Sequence, residues 1–216
     1  MSRPVFIPAM DMMGHTRRFL STYDQYKIDF DLTHRDIVAL LLSPERREKP
    51  ATNGALGMFT SLLGGEVEEE NERFYLRTPH GRQPMPLVAE GLRKIATLQQ
   101  LVRNGHLQPG SVLFWDEPEV NLNPLLMDEV VAVLLALART GVQIFLATHS
   151  YVILKELDLQ ATKQDAVRFF ALESTPDGTV VHPSEDYAEL HSNPIAEQFD
   201  SLYDRELTRC VRKRPK

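Results

Sequence analysis

Cysteine is nearly absent: the chain of 216 residues has one, Cys210. A single thiol cannot close an internal disulfide, so burial and hydrogen bonding must hold the fold, and a reducing compartment is the natural setting. No apolar run approaches the roughly 20 residues that a membrane-spanning helix needs. The opening stretch, MSRPVFIPAMDMMGH, has neither a long apolar core nor a small-residue cleavage pattern. No secretory signal is therefore expected, and the expected location is cytoplasmic, with no membrane partner. An excess of positive charge is missing too, since 24 Lys and Arg face 30 Asp and Glu for a formal net charge of −6. That excludes a protein relying on bulk charge to hold nucleic acid, while a local basic patch stays open. Internal repeats and low-complexity segments are lacking. So is any Gly-Lys dipeptide, and with it the phosphate-cradling pattern G-x-x-x-x-G-K-[ST].

What is present is an ordinary globular balance, 43% hydrophobic and 25% charged, in a length that suits one domain or one domain with a subdomain. The stretch 111–150, SVLFWDEPEVNLNPLLMDEVVAVLLALARTGVQIFLATHS, organises the chain. Residues 111–115 are short and apolar on both faces, as in a strand buried inside a parallel sheet. Pro118 stops that strand. Asn123 is a helix N-cap with Pro124 at the first helical position, apolar residues from Leu126 recur at helical spacing, and Gly141 closes the helix. Residues 142–147 form a second apolar run, followed by Thr148, His149 and Ser150. This is a βαβ unit, and its polar clusters fall at the carboxyl ends of parallel strands, where open α/β sheets place ligands.

Two consecutive acids at the tip of a buried strand need a cation or another partner. Asp116 is placed to bind Mg²⁺, directly or through water. Glu117, one residue on, points elsewhere and is placed to polarise a water. His149, at the end of the next strand, is placed to face the same crevice. Metal ligand, base and phosphate contact are the parts needed to hydrolyse a nucleoside triphosphate. The plainer alternative is that the acids begin a turn and that His149 is a structural histidine.

Upstream, residues 5–7 read as an edge strand between Pro4 and Pro8, and 11–26 as a helix whose Arg17 and Arg18 face solvent or a phosphate. Thr33 is expected to cap a helix over 34–42, and 45–49 to form an exposed connection. A third helix is expected over 55–63, then a β-hairpin (66–68 with 73–77) tipped by acidic residues, then a loop over 78–86. A helix follows, with Leu92, Ile95, Leu98, Leu101 and Val102 as its apolar stripe. Its first turn holds Ala89, Glu90, Gly91, Arg93 and Lys94. Free N–H groups with two cations make an anion site, and a plain amphipathic helix with solvated basic residues is the alternative. Downstream, 152–157 is helical, 167–172 and 179–181 are strands around the Thr175-Pro176-Asp177-Gly178 turn, 185–190 and 195–207 are helices, and 212–216 is a basic tail.

LFWDEPEVNLNP resembles the Walker B and D-loop region of ABC-type ATPase heads, the class that includes the SMC and RecF proteins, and FLATHS resembles their histidine switch. The likeness extends from about Val5 to Arg209 and is nearest to stand-alone bacterial AAA-type ATPases with an ABC-like head, found in phage-defence and DNA-repair operons. It implies an α/β fold, a partial P-loop NTPase with a parallel-sheet core, a helical subdomain and small β-hairpins. It divides the chain into 1–110, the helical and signature-containing part, and 111–216, the Walker B to histidine-switch core with a C-terminal hairpin and helices, within one continuous domain. The implied cofactors are ATP and Mg²⁺. Asp116 would organise the metal, Glu117 the attacking water, and His149 the γ-phosphate contact.

In the family a signature motif opens a helix shortly before Walker B and reaches the nucleotide of a second subunit. Ala89, Glu90 and Gly91 occupy that place, with Ala89 where a serine is usual and Glu90 where a glycine often sits. The backbone donors are kept and the hydroxyl is lost. Asn121 and Asn123 stand at the D-loop, where relatives often have aspartate or histidine, and helix capping is Asn123's competing role. The absent cradle implies a partner: a missing N-terminal half or a second ATPase subunit carrying Walker A, in a dimer, with an effector nuclease or DNA as further partners. Two other readings remain. One is a non-hydrolysing relative that acts as a protein-interaction module. The other is a metal-dependent nuclease using Asp116, Glu117 and Glu119, although no second acidic cluster stands at a strand end.

Overall fold

The computed structural model describes residues 4–46 and 53–212. It divides into two compact units, Met1–Thr148 and His149–Lys216. The first unit runs β1 (Val5–Ile7), α1 (Phe19–Tyr26), α2 (Leu32–Leu41), α3 (Asn53–Leu63), β2 (Glu66–Glu70), β3 (Arg73–Thr78), β4 (Gly81–Pro84), α4 (Glu90–Arg103), β5 (Val112–Asp116), α5 (Met127–Arg139) and β6 (Gln143–Ala147). The second holds α6 (Tyr151–Gln160), the hairpin β7 (Phe169–Thr175) and β8 (Gly178–Ser184), and α7 (Pro194–Arg212). The fold is α/β, with a parallel three-stranded sheet, a set of helices and small antiparallel sheets. None of the described helices is long and apolar enough to cross a membrane.

The parallel sheet has the order β1-β5-β6, so the strand ending in Asp116 is central and β1 is an edge, as its flanking prolines predict. Alternation sends Val5, Ile7, Leu113 and Trp115 into the core, each 4% exposed or less. The other face is not buried. Phe6, Phe114 and Phe145 are partners in register across all three strands, and they are 40%, 38% and 42% exposed. Phe114 and Phe145 stack with ring centroids 4.8 Å apart. The expectation that residues 111–115 are buried on both faces is thus corrected: the strand is central in its sheet but sandwiched on one side only.

Helix α4 is the axis of this unit. From Lys94 to Val102 every residue is buried, including Thr97, Gln99 and Gln100. Most of its amide groups are satisfied internally, as buried polar groups usually are, with the Gln100 side-chain oxygen as an exception. Gln99 accepts from the Val67 N–H at 3.1 Å and donates to Thr60 at 3.0 Å, while Gln100 donates to Asn104 at 3.0 Å. Asn104 in turn donates to the carbonyls of Leu40 and Leu41, which ends α2 against the end of α4.

Several local expectations change. The helix over 11–26 is broken into a single 3-10 turn, Met13–His15, and α1. The Asp11 carboxylate captures the Met13 and Gly14 N–H groups, and Arg18 takes the left-handed conformation at φ 56°. Asp31, not Thr33, caps α2, its carboxylate accepting from the Thr33 N–H at 2.8 Å. The span 78–86 holds a strand as well as a turn: β4 pairs antiparallel with β3 from Thr78–Gly81 to Tyr75–Pro84. The acidic hairpin turns at Asn71 and Glu72, both at positive φ. The 185–190 segment is a 3-10 turn, Tyr187–Glu189. Residues 47–49 of the expected connection and 213–216 of the basic tail lie outside the described residues.

Candidate functional site

Asp116 is the last residue of β5, on the same face as Phe114 by alternation, and it is partly exposed. Its register partner is Ala147, the last residue of β6. The acids and Thr148 therefore leave the sheet side by side, as two parallel strands require. Glu117 leaves the strand in the left-handed conformation, φ 46°. Its backbone is held at both polar groups. The N–H donates to the Ala147 carbonyl at 2.9 Å, and the carbonyl accepts from the Lys94 ammonium at 3.0 Å. The backbone from which the Glu117 side chain projects is thereby fixed. Two residues on, the Glu119 carboxylate accepts from the Thr148 hydroxyl at 2.8 Å, joining the two strand ends a second time.

Lys94 is the residue that sequence reasoning misplaced. It is 2% exposed. Burial pulls its ammonium below the usual lysine range, while the nearby carboxylates of Glu90, Glu119, Asp11 and Glu117 oppose that shift. Arg93 likewise turns inward. It pairs with the buried Asp11 carboxylate at 2.6 Å and donates to the Val88 carbonyl at 2.9 Å. Neither cation is a solvated face residue. The anion site expected at this helix start also lacks these two groups, because both are engaged by protein acceptors. One signal existed in the sequence: Lys94 lies four and seven residues before Leu98 and Leu101, on the apolar stripe itself.

The start of α4 meets the D-loop segment of the same chain. A side chain at Gly91 would come within 2.7 Å of the Asn121 carbonyl oxygen and 2.8 Å of the Leu122 Cα, closer than any real contact of that kind. Gly91 is thus the residue that lets helix and loop close on each other. Ala89 is the N-cap and is exposed, with no side-chain cap, and Glu90 is partly exposed in the first turn. Asn121 is exposed at φ 61°. Asn123 does what its competing role predicted: its side chain accepts from the Leu125 N–H at 3.1 Å and caps the short turn before α5.

The structure joins the start of α4 to the acids through the Lys94–Glu117 hydrogen bond and to the D-loop segment through Gly91, whereas the sequence alone placed Gly91 and Asn121 toward a second subunit and gave no sign of the Asp11 pairing or the Glu119–Thr148 link. His149 is exposed and opens the second unit, and Ser150 after it caps α6, accepting from the Ile153 N–H at 3.3 Å.

Residues 24–155 match the family described as "AAA domain, putative AbiEii toxin, Type IV TA system". The chain belongs to that family. An AAA- and ABC-type head is accordingly the fold on which the acids at the end of β5 sit. Solved structures with a similar trace include the SMC head domain from Thermotoga maritima, 15% identical over 83% of this chain and 53% of that one, with a TM-score of 0.47. A second is the Pyrococcus furiosus Smc head domain bound to the C-terminal domain of ScpA, 11% identical over 72% of this chain and 37% of that one, with a TM-score of 0.46. A third comes from work on ATP-driven dimerization and DNA-stimulated activation of SMC ATPases, 12% identical over 77% of this chain and 93% of that one, with a TM-score of 0.46. The chain spans about half the length of the first of these and about a third of the second. No curated protein matches it.

Proposed function

We propose that this chain binds and hydrolyses ATP as part of an ABC-type head, with the phosphate cradle supplied by another stretch of polypeptide or by a second subunit. The observation that carries the reading is the pinned acid pair. Asp116 and Glu117 stand at the end of the central parallel strand, and the backbone between them and β6 is locked by Lys94 and Ala147. Such preorganisation matters for a carboxylate that must meet a reacting water at hydrogen-bond distance. Mg²⁺ takes oxygen ligands and is bound through one or two carboxylates plus substrate phosphates. The partly exposed Asp116 carboxylate fits that requirement, and Glu117 is left to orient and deprotonate water. His149 is assigned the γ-phosphate contact. Ala89, Glu90 and Gly91, with Asn121 and Asn123, are assigned to the face turned toward a second nucleotide-bearing subunit.

The exposed row Phe6, Phe114 and Phe145 supports a cradle supplied from elsewhere. Parallel sheets are covered on both faces, and these rings share their face with Asp116. An element packed on that face would end beside the acid. The family's description as an AbiEii-type toxin of a Type IV TA system favours a defence role over DNA repair. The test is reconstitution with a polypeptide that carries the G-x-x-x-x-G-K-[ST] loop. The mixture should hydrolyse ATP, and Glu117→Gln should slow turnover about 10²–10⁴-fold while keeping nucleotide bound. Fast turnover by that variant would remove Glu117 from its role. Unchanged activity on mixing favours the interaction module, and plasmid nicking abolished by Asp116→Ala favours the nuclease.

A further inference from the structure

The second unit carries a cluster that the nucleotide reading leaves unused. Glu173 on β7 and His182 on β8 lie on one face of the hairpin. Ala171 pairs with His182 and Glu173 with Val180, so Glu173 and His182 are diagonal neighbours on that face. His182 Nε2 lies 2.8 Å from a Glu173 carboxylate oxygen. A third group arrives from outside the hairpin: the His191 ring sits with its centroid 4.9 Å from that of His182. One ligand atom from each of the three residues lies within 4.8 Å of the other two.

The arrival of His191 is built, not incidental. After β8 the chain turns on Ser184 and Asp186. The Ser184 hydroxyl donates to the Asp186 carbonyl at 2.7 Å, and the Asp186 carboxylate accepts from the Ala188 N–H at 2.8 Å. Tyr187 then buries its ring edge-on against Phe169 of β7, centroids 5.4 Å apart. Beyond His191, Ser192 turns at φ 57° and the Asn193 side chain accepts from the Ala196 N–H at 3.1 Å at the start of α7. His191 is therefore held between an aromatic anchor and a helix start, over the hairpin.

We propose that Glu173, His182 and His191 form a site for a borderline divalent cation, zinc above all, with water completing the shell. Two imidazoles and one carboxylate are the donor set that zinc accepts, whereas magnesium and calcium prefer oxygen alone. A tetrahedral ion with bonds of about 2.0–2.1 Å holds its donors about 3.3 Å apart. The three ligand atoms, within 4.8 Å of one another, would have to move to that spacing on binding. The bound ion ties both strands of the hairpin to the segment leading into α7, so it stabilises the second unit.

The experiment uses the full chain, stripped with chelator and titrated with zinc chloride. A parallel sample is titrated with cobalt chloride and followed by visible absorption. The expected result is one zinc per chain, a tetrahedral cobalt spectrum, and a rise in melting temperature on zinc addition. His182→Ala and His191→Ala should each weaken binding at least tenfold and abolish the spectrum, and Glu173→Gln should weaken it while keeping the fold. His80→Ala, in an exposed turn of the first unit, should bind like the parent. Both histidines are at least partly exposed, so their loss should leave the circular dichroism unchanged. An absence of zinc binding, or zinc held equally by the parent and the two histidine variants, overturns the site and leaves an ordinary His–Glu pair. Neither outcome touches the nucleotide reading, which is tested without zinc.

Discussion

Helices α4 and α7 are both rich in charge, both carry one apolar stripe, and they end in opposite environments. α4 is buried from Lys94 to Val102. α7 leaves Phe199, Leu202, Tyr203, Leu207 and Val211 between 43% and 75% exposed. Composition does not separate them. Neighbours do: Arg93, Lys94 and Gln99 of α4 each meet a group of another element placed to receive them, and Gln100 donates to Asn104 at the helix end. α7 is seated mainly through its first turns, where Phe199 stacks on Tyr151 at 4.3 Å. A helix with charged residues can lie at the centre of a domain when those residues are satisfied one by one.

The contrast can be broken most severely at Gly91. Gly91→Ala places a methyl group against the backbone of both Asn121 and Leu122, so α4 and the 121–122 loop must separate. The expected loss is about 1–3 kcal/mol, at the upper end because neither neighbour is a flexible side chain, read from the shift in denaturant midpoint. Lys94→Met comes next. It takes the donor from the Glu117 carbonyl and removes a desolvated charge, two effects of opposite sign, for an expected net loss of about 1 kcal/mol. Trp115, the only tryptophan, lies two residues from Glu117, and its emission should shift if the loop relaxes.

A smaller effect comes from His106 at the end of α4. Burial first, and then the nearby Arg46, hold its imidazole below the usual histidine range, against a hydrogen bond to Leu40 that favours the charged form. The unfolded chain therefore binds a proton more readily than the folded one. Stability should be full above about pH 6.5 and fall as the pH drops through that value toward the lowered folded one. His106→Gln should flatten that part of the pH profile. The smallest effect is expected in α7, where Leu207→Glu should change stability by no more than about 0.5 kcal/mol in a thermal melt.

The strands and the βαβ order were legible because short apolar runs ended by DEP, Gly141 and THS leave few alternatives. The hairpins were legible from their turn residues. The extent of the first helix was not, because Asp11 competes for the backbone N–H groups that the helix needs, and its partner Arg93 lies 82 residues away. β4 was hidden because GRQP carries no apolar alternation, and it pairs only because β3 offers it an edge. At the candidate site, the acids and Gly91 could be found from motif and spacing. Lys94 is expected from the sequence either at an anion site or on a solvated face, and only its place on the apolar stripe argues for burial.

From its residues alone the chain dictated an α/β order of elements and a pair of acids at the tip of a central strand, since local periodicity and turn chemistry act over a few residues. Which face of that strand is covered, which cations are buried, and which histidines meet over a hairpin were decided by tertiary structure. Those outcomes depend on groups far apart in sequence, whose attraction has effect only after the chain has brought them together.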